Sequence, residues 1–365
     1  MQDQPQRSGR RARRGLRGTA VALVAGLIVS ACADGAASPS PVPAASEAAT
    51  PAPPASATPA ALETATPPLS GALTLYTSVT QNTVDAIVAG FAEVAPEVGV
   101  EVFRAPTGEL AARIAAEIRE GGLQADVLWL TDPLSMAEYE DQGLLLAWEP
   151  AGAASLDPAY RGTSSWGTRL LNVVMVRRAD VSPAPAAWKE LTDGAYRDAV
   201  ALPDPAFAGS AFGALGYFAL APGYGLDFYR ALEANGATQL RAPDEVTTGV
   251  AEGRFAAGMT LDNSVRTAVA KGSPIELVWP TDGAVAIDSP IAVVEQADAQ
   301  DAARAFVEHV LSEAGQAAIG STGWQPVRPG VGGPEPEGPQ VTPDWDAAIA
   351  RRDELLAEYR EIFGG

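Results

Sequence analysis

The chain has 365 residues, 47% of them hydrophobic, with a formal net charge of −20, one cysteine and one histidine. So acidic a chain lacks the basic footprint that nucleic-acid binders need, and a lone cysteine excludes a disulfide framework. The charge is read as a means of staying soluble.

Arg7, Arg10, Arg11, Arg13, Arg14 and Arg17 make a basic start, and "GTAVALVAGLIVSA" follows over residues 18–31. That run is shorter than the about 20 residues a membrane-spanning helix needs, and it fits the core of a secretory signal. It ends in "VSAC", which resembles the bacterial lipoprotein cleavage box. The resemblance implies a signal peptide over 1–31 and a lipid on Cys32. Residues 1–31 hold six Arg and one Asp, net +5, so the remainder carries −25. Residues 32–70 are rich in Ala, Pro, Ser and Thr. This composition cannot bury a core and reads as an extended tether. The remaining chain is long for one core and favours two lobes.

Strand and helix alternate from there, which predicts a parallel sheet with crossover helices. "ALTLYT" at 72–77, "GVEVFRA" at 99–105 and "ADVLWLT" at 125–131 read as strands. The last is almost wholly apolar, as a sheet buried on both faces requires. Helices follow each, with Val84, Ile87, Val88 and Phe91 at helical spacing in the first. Thr107 is the expected N-cap of the second. Later strands are expected in "RLLNVVMVRR", "DAVALPDP", "AAGMTLD" and "IELVWP", and a hairpin-like pair in "DGAVAIDSPIAVVE". "PAAWKELTD" reads as a short helix, "QDAARAFVEHVLSEAGQAAIGSTG" as two helices, and Pro343–Phe363 as one final amphipathic helix.

The order of "LTLYTS", "PTGELAARIAAE", "ADVLWLTDP", "PAAWKEL", "VAEGRFAAGMTLDNS", "KGSPIELVWPTDGAVAIDSPIAVV" and "AARAFVEHVLSEAGQ…PVR" resembles the extracellular solute-binding proteins of ABC importers. The cluster in question includes ferric-iron, thiamine and 2-aminoethylphosphonate binders. The resemblance implies an α/β, two-lobed type II periplasmic-binding fold, with mixed sheets flanked by helices and two crossing strands as hinge. The expected organisation is lobe one over 71–172 and 286–328, and lobe two over 173–285. A Pro/Gly linker covers 329–342, and the C-terminal helix lies in 343–365. The crossings are expected near Asn172–Arg177 and Ala284–Ile291. The implied partners are a small-molecule solute, the permease's transmembrane subunits and, through Cys32, the outer face of the membrane. A monomer without cofactor is expected.

Ligands in open α/β sheets sit beyond strand carboxyl ends, beside helix N-termini whose free N–H groups suit anions. The residues at those junctions are Ser78, Thr80, Thr107, Gly108, Thr131, Asp132, Ser210, Asp262, Asn263 and Ser264. Each residue type also serves as an ordinary helix cap or turn residue. Tyr76, Trp129 and Trp166 are read as packing in preference to cleft lining. Arg169 is a possible counter-charge for an anion. The family's iron binders keep two adjacent tyrosines just after the strand that reads "AAGMTL" here, where this chain has Asn263 and Ser264. They often carry a His after the first strand, where this chain has Thr80. His309 falls inside an amphipathic helix and reads as a packing or surface residue. No metal site is therefore expected. The favoured solute is 2-aminoethylphosphonate or a related phosphonate or phosphate ester, with ferric iron as the alternative. A surface lipoprotein that binds another protein is the alternative from a different class. No G-x-S-x-G motif or P-loop points to an enzyme.

Overall fold

The computed structural model describes residues 69–364; the signal segment, Cys32 and all but the last residues of the tether lie outside them. Three parallel strands come first: β1 (Gly71–Thr77), β2 (Val98–Arg104) and β3 (Val127–Trp129). They alternate with α1 (Gln81–Val94), α2 (Thr107–Glu120) and α3 (Pro133–Asp141). The long β4 (Ser165–Arg178) carries the chain into a second lobe. There β5 (Val200–Pro203), α4 (Gly209–Leu220), α5 (Leu226–Ala234), β6 (Thr238–Leu240), α6 (Pro243–Ala251), β7 (Ala257–Leu261), α7 (Asp262–Ala270) and β8 (Ile275–Val278) follow. The return strand is β9 (Ala284–Val293), succeeded by α8 (Gln300–Leu311), α9 (Glu313–Ser321), β10 (Gln325–Pro326), β11 (Gln340–Val341), α10 (Trp345–Ala350) and α11 (Arg352–Phe363).

The strands hydrogen-bond in the order β2-β1-β3-β9-β4-β7-β5-β6. The crossing strands β4 and β9 therefore sit at the centre. The N-terminal end of β4 pairs with β9 and β10, and its C-terminal end pairs with β7 and β8. Residues 166–176 of β4 and all of β9 are buried, which explains why they are mostly apolar.

The sequence reading differs from the structure in several elements. "AVAIDSPIAV" is one continuous strand rather than a hairpin, although Ser-Pro reads as a turn. Pro290 pairs with Gly167 at the edge of a register shift in β4 that runs from Gly167 to Leu170. Proline lacks an N–H donor, and within sheets it is found at such bulges. "PAAWKELTD" holds only a 3-10 helix over Trp188–Thr192. The last helix breaks at Arg351, whose φ of −120° leaves the helical region. α10 packs on α3 and α4, and α11 turns onto α4 and α5. The Pro/Gly linker is tied at both ends, with β10 on β4 and β11 on β9.

Candidate functional site

Five helices begin around one cavity of about 170 Å³ between the lobes. A single water needs only about 10–15 Å³, so the space has room for a small molecule. The residues at these helix starts are Thr80 for α1, Pro106 and Thr107 for α2, and Ala208 to Ser210 for α4. Ala242 to Asp244 begin α6, and Leu261, Asn263 and Ser264 begin α7. None of the five is capped by the side chain at its N-cap position. Of the six described helices that start elsewhere, three carry such caps: Asp132 accepts from the Ser135 N–H, Ser312 from Gly315 and Asp344 from Ala347, whereas α5, α8 and α11 do not. Uncapped first turns leave N–H groups and partial positive charge directed at the cavity.

Thr107 is thus not the N-cap of α2; it is the first helical residue, behind Pro106. Its hydroxyl lies 3.1 Å from that of Thr131, which lies 3.3 Å from that of Ser78. These three form a row of hydroxyls on the lobe-one wall. Ser78, Thr80, Thr107, Thr131, Ser210, Asn263 and Ser264 all line the cavity. Gly108, Asp132 and Asp262 do not.

Gly108 is a closure contact. Its N–H reaches the Phe207 carbonyl at 3.4 Å, and a Cβ there would overlap the Ala206 carbonyl oxygen. Gly209 faces it from the other lobe, where a Cβ would overlap the Asp132 carboxylate and crowd the Thr131 and Thr107 hydroxyls. Asp132 is fully buried beneath this contact, and one of its oxygens has no partner. Burial pushes its carboxyl up to about 7. Asp288, on the crossing strand, is likewise raised to about 7 by burial, with Asp132 adding to it. Asp262 turns away from the cavity. It accepts from Asn172 Nδ2 at 3.4 Å and lies 3.5 Å from Arg266. Asn172, Gln325 and Gln340 form an amide cluster beside it where β4, β10 and β11 meet.

The dominant charge of the cavity is Arg169. Its side chain is fully buried, lines the cavity and stacks 4.2 Å from the Trp324 ring. Its Nη1 makes only 3.5 Å contacts to the Thr80 and Thr83 hydroxyls, and Nε and Nη2 have no partner. Burial and the nearby Arg104 pull the guanidinium down to about 9, which still leaves it protonated at neutral pH. The register shift in β4 beside Pro290 spans this residue and sets the direction of its side chain. Arg104 and Arg241 add two more cations to the wall, against the single carboxylate of Asp244. Arg241 stacks on Phe207 and pairs with Glu109 across the cleft. Ser264 donates to Asp244.

Tyr76, Trp129 and Trp166 are core residues; the Trp129 indole donates to the Thr168 hydroxyl at 2.9 Å. His309 packs against Gly90 and Phe91. The junction rule missed Arg104, Arg241, Asp244 and Trp324. Arg104 ends a strand at one of the junctions searched, so the rule could have included it. Among the described residues, no cluster of three or more His, Cys, Asp or Glu is placed to hold a metal ion.

A profile described as bacterial extracellular solute-binding protein matches residues 73–325. The chain belongs to that family. Its members capture small solutes outside the cytoplasm and deliver them to ABC permeases. A Haemophilus influenzae relative, described only as an uncharacterized protein, is 26% identical over 266 residues, which is 67% of this chain and 74% of the relative. Among solved structures, the binding protein is similar to the periplasmic binding protein AfuA from Actinobacillus pleuropneumoniae with exogenous fructose-6-phosphate bound. The identity is 19%, the TM-score 0.74, and the match covers 81% of this chain and 99% of that one. It is also similar to iron-bound HitA from Pseudomonas aeruginosa, at 22% identity and TM-score 0.70, covering 80% and 99%. At these identities the likeness establishes the two-lobed fold and leaves the solute to the chemistry of the site. Among the described residues no helix is long and apolar enough to cross a membrane.

Proposed function

We propose that the cleft captures a small solute bearing a phosphate monoester or a phosphonate group, with 2-aminoethylphosphonate and sugar phosphates as leading candidates, and delivers it to an ABC permease. The supporting observation is the buried, half-unpartnered Arg169 guanidinium among five uncapped helix starts. Leaving a buried cation unpaired costs several kcal/mol, and a bound dianion relieves that cost through a fork of N–H donors suited to it. The fructose-6-phosphate bound to AfuA supports the ester reading. With Arg241 already paired to Glu109, Arg169 and Arg104 still outnumber the one lining carboxylate, which disfavours ferric iron electrostatically.

In this reading Arg169, Ser78, Thr80, Thr107 and Ser210 hold the anion. Asp244 and Ser264 face the rest of the solute, while the Asn263 amide is taken by the Thr322 and Gly323 carbonyls. Asp132, Asp262 and Gly108 support the walls and the seam between lobes. Hinge bending about β4 and β9 closes the lobes on the ligand. A lipid on Cys32 and the 32–70 tether keep the receptor at the outer membrane face, as a monomer without cofactor or catalytic role.

A thermal-shift panel on the purified chain tests this with 2-aminoethylphosphonate, fructose-6-phosphate, inorganic phosphate and ferric citrate. A phosphorus-bearing compound should raise the melting temperature by mass action. A response to ferric citrate alone, with a visible charge-transfer colour, would overturn it.

A further inference from the structure

We propose that the loop Thr322–Trp324 is a positioning element: it transmits the seating of α7 to the aim of Arg169, with Trp324 as the residue that holds the guanidinium. This rests on the reading that Arg169 takes the anion.

The loop follows α9 in lobe one, whereas Asn263 stands in the first turn of α7 in lobe two. The Asn263 side-chain amide donates to the Thr322 carbonyl at 3.2 Å and to the Gly323 carbonyl at 2.8 Å. Gly323 has φ of +88°, a left-handed conformation that favours glycine, and a Cβ there would strike the Asn263 amide at 2.5 Å. The next residue, Trp324, is buried; its ring lies 4.2 Å from the Arg169 guanidinium carbon, and its indole N–H donates to Thr80 Oγ1 at 3.2 Å. The Thr322 hydroxyl lies 2.9 Å from that of Thr83, the other hydroxyl that Arg169 touches. Every partner of the Arg169 head group is therefore held by this loop or bonded to it.

Those hydroxyl contacts are long, at 3.5 Å, so the indole face is the main surface that fixes the plane of the guanidinium. A desolvated cation–π contact is strong enough to do so. The plane decides where Nε and Nη2 point. The Asn263 contact bridges the two lobes, so on this proposal closure is tied to the aim of the anchor. The position at which the family's iron binders are expected to keep tyrosines is here occupied by a residue that clasps the opposite lobe.

A double-mutant cycle tests this, with calorimetric affinity for fructose-6-phosphate and for 2-aminoethylphosphonate as the readout. Asn263→Ala and Trp324→Leu should each weaken binding about tenfold. The double variant should also lose about tenfold, because both changes remove one linkage. Trp324→Phe keeps an aromatic face and should restore most of the affinity. A hundredfold loss in the double variant would mean that Asn263 touches the ligand or acts independently, and the proposal fails. Equal losses for Trp324→Phe and Trp324→Leu would also defeat it. Arg169→Met is the separate control: unchanged affinity there overturns the anion reading itself, whereas a large loss there beside additive losses in the cycle overturns only the loop's role.

Discussion

The two walls of the cleft are built differently. The lobe-one wall is buried and cationic: Arg169 is fully covered, Thr107 and Thr131 nearly so, and their hydroxyls are already linked to one another. The lobe-two wall is more open, carries the only carboxylate, Asp244, and contributes Ser264 and Arg241 from partly or fully exposed positions. The contrast teaches a division of labour. On the proposed function, one wall is a preorganised anchor whose charge is costly to leave unpaired, and the other adapts to the rest of the solute and closes the site. Preorganisation of that kind raises affinity by lowering what binding must order.

If the division holds, the largest loss comes from the anchor. Arg169→Met should weaken binding of a phosphate ester by roughly 30-fold to several thousand-fold, as for other buried charged partners removed. Calorimetric titration measures that loss. The same change should leave the melting temperature equal or higher, since it removes a buried cation with unpartnered nitrogens.

The next effect belongs to the seam. Gly209→Ala places a methyl group against the Asp132 carboxylate and the Thr131 and Thr107 hydroxyls. Overpacking there should cost about 1–3 kcal/mol, divided between stability and closure. Small-angle scattering with saturating ligand should show a more open particle than the parent chain gives.

A third test separates the seam from both walls. Asp132 has its carboxyl raised from 3.8 to about 7, so the folded chain binds its proton more tightly than the unfolded chain does. Its stabilising contribution is complete below the unfolded value and is lost as pH rises through about 7. The melting temperature should therefore fall from about pH 5 to about pH 8, less steeply in Asp132→Asn. Asp288, raised by the same cause, keeps a residual slope in that variant. Scanning calorimetry across that range decides it, and equal slopes would place the titration elsewhere.

The smallest effect should come from the adaptable wall. Ser264→Ala removes a hydrogen bond to an exposed carboxylate, so a loss of about tenfold or less is expected. A loss rivalling that of Arg169→Met would reverse the assignment of anchor and lid.

The fold was legible wherever its cause is local. The alternation from β1 to α3 follows from apolar spacing, and the buried crossing strands announce themselves as largely apolar runs. The continuity of β9 was not legible, because the register shift beside Pro290 lies in β4, more than a hundred residues away in sequence. In the site, Ser78, Thr80, Thr107 and Ser210 could be found because strand-to-helix junctions recur with the sheet. Arg169 left a trace as a charge at the start of a long apolar strand. Trp324 left none: a loop residue after α9 reaches the anchor only through tertiary packing. Asp262 misled for the opposite reason. Its place in the junction is right, but its carboxylate is taken by Asn172 and Arg266.

The most direct measurement is a crystal structure with the phosphate ester or phosphonate that gives the largest thermal shift. The account predicts its phosphorus oxygens within hydrogen-bond distance of Arg169 Nε and Nη2, at the first turns of α1, α2 and α4. A ligand bound with its phosphorus group away from Arg169, or a ferric ion seated between the walls, would contradict it.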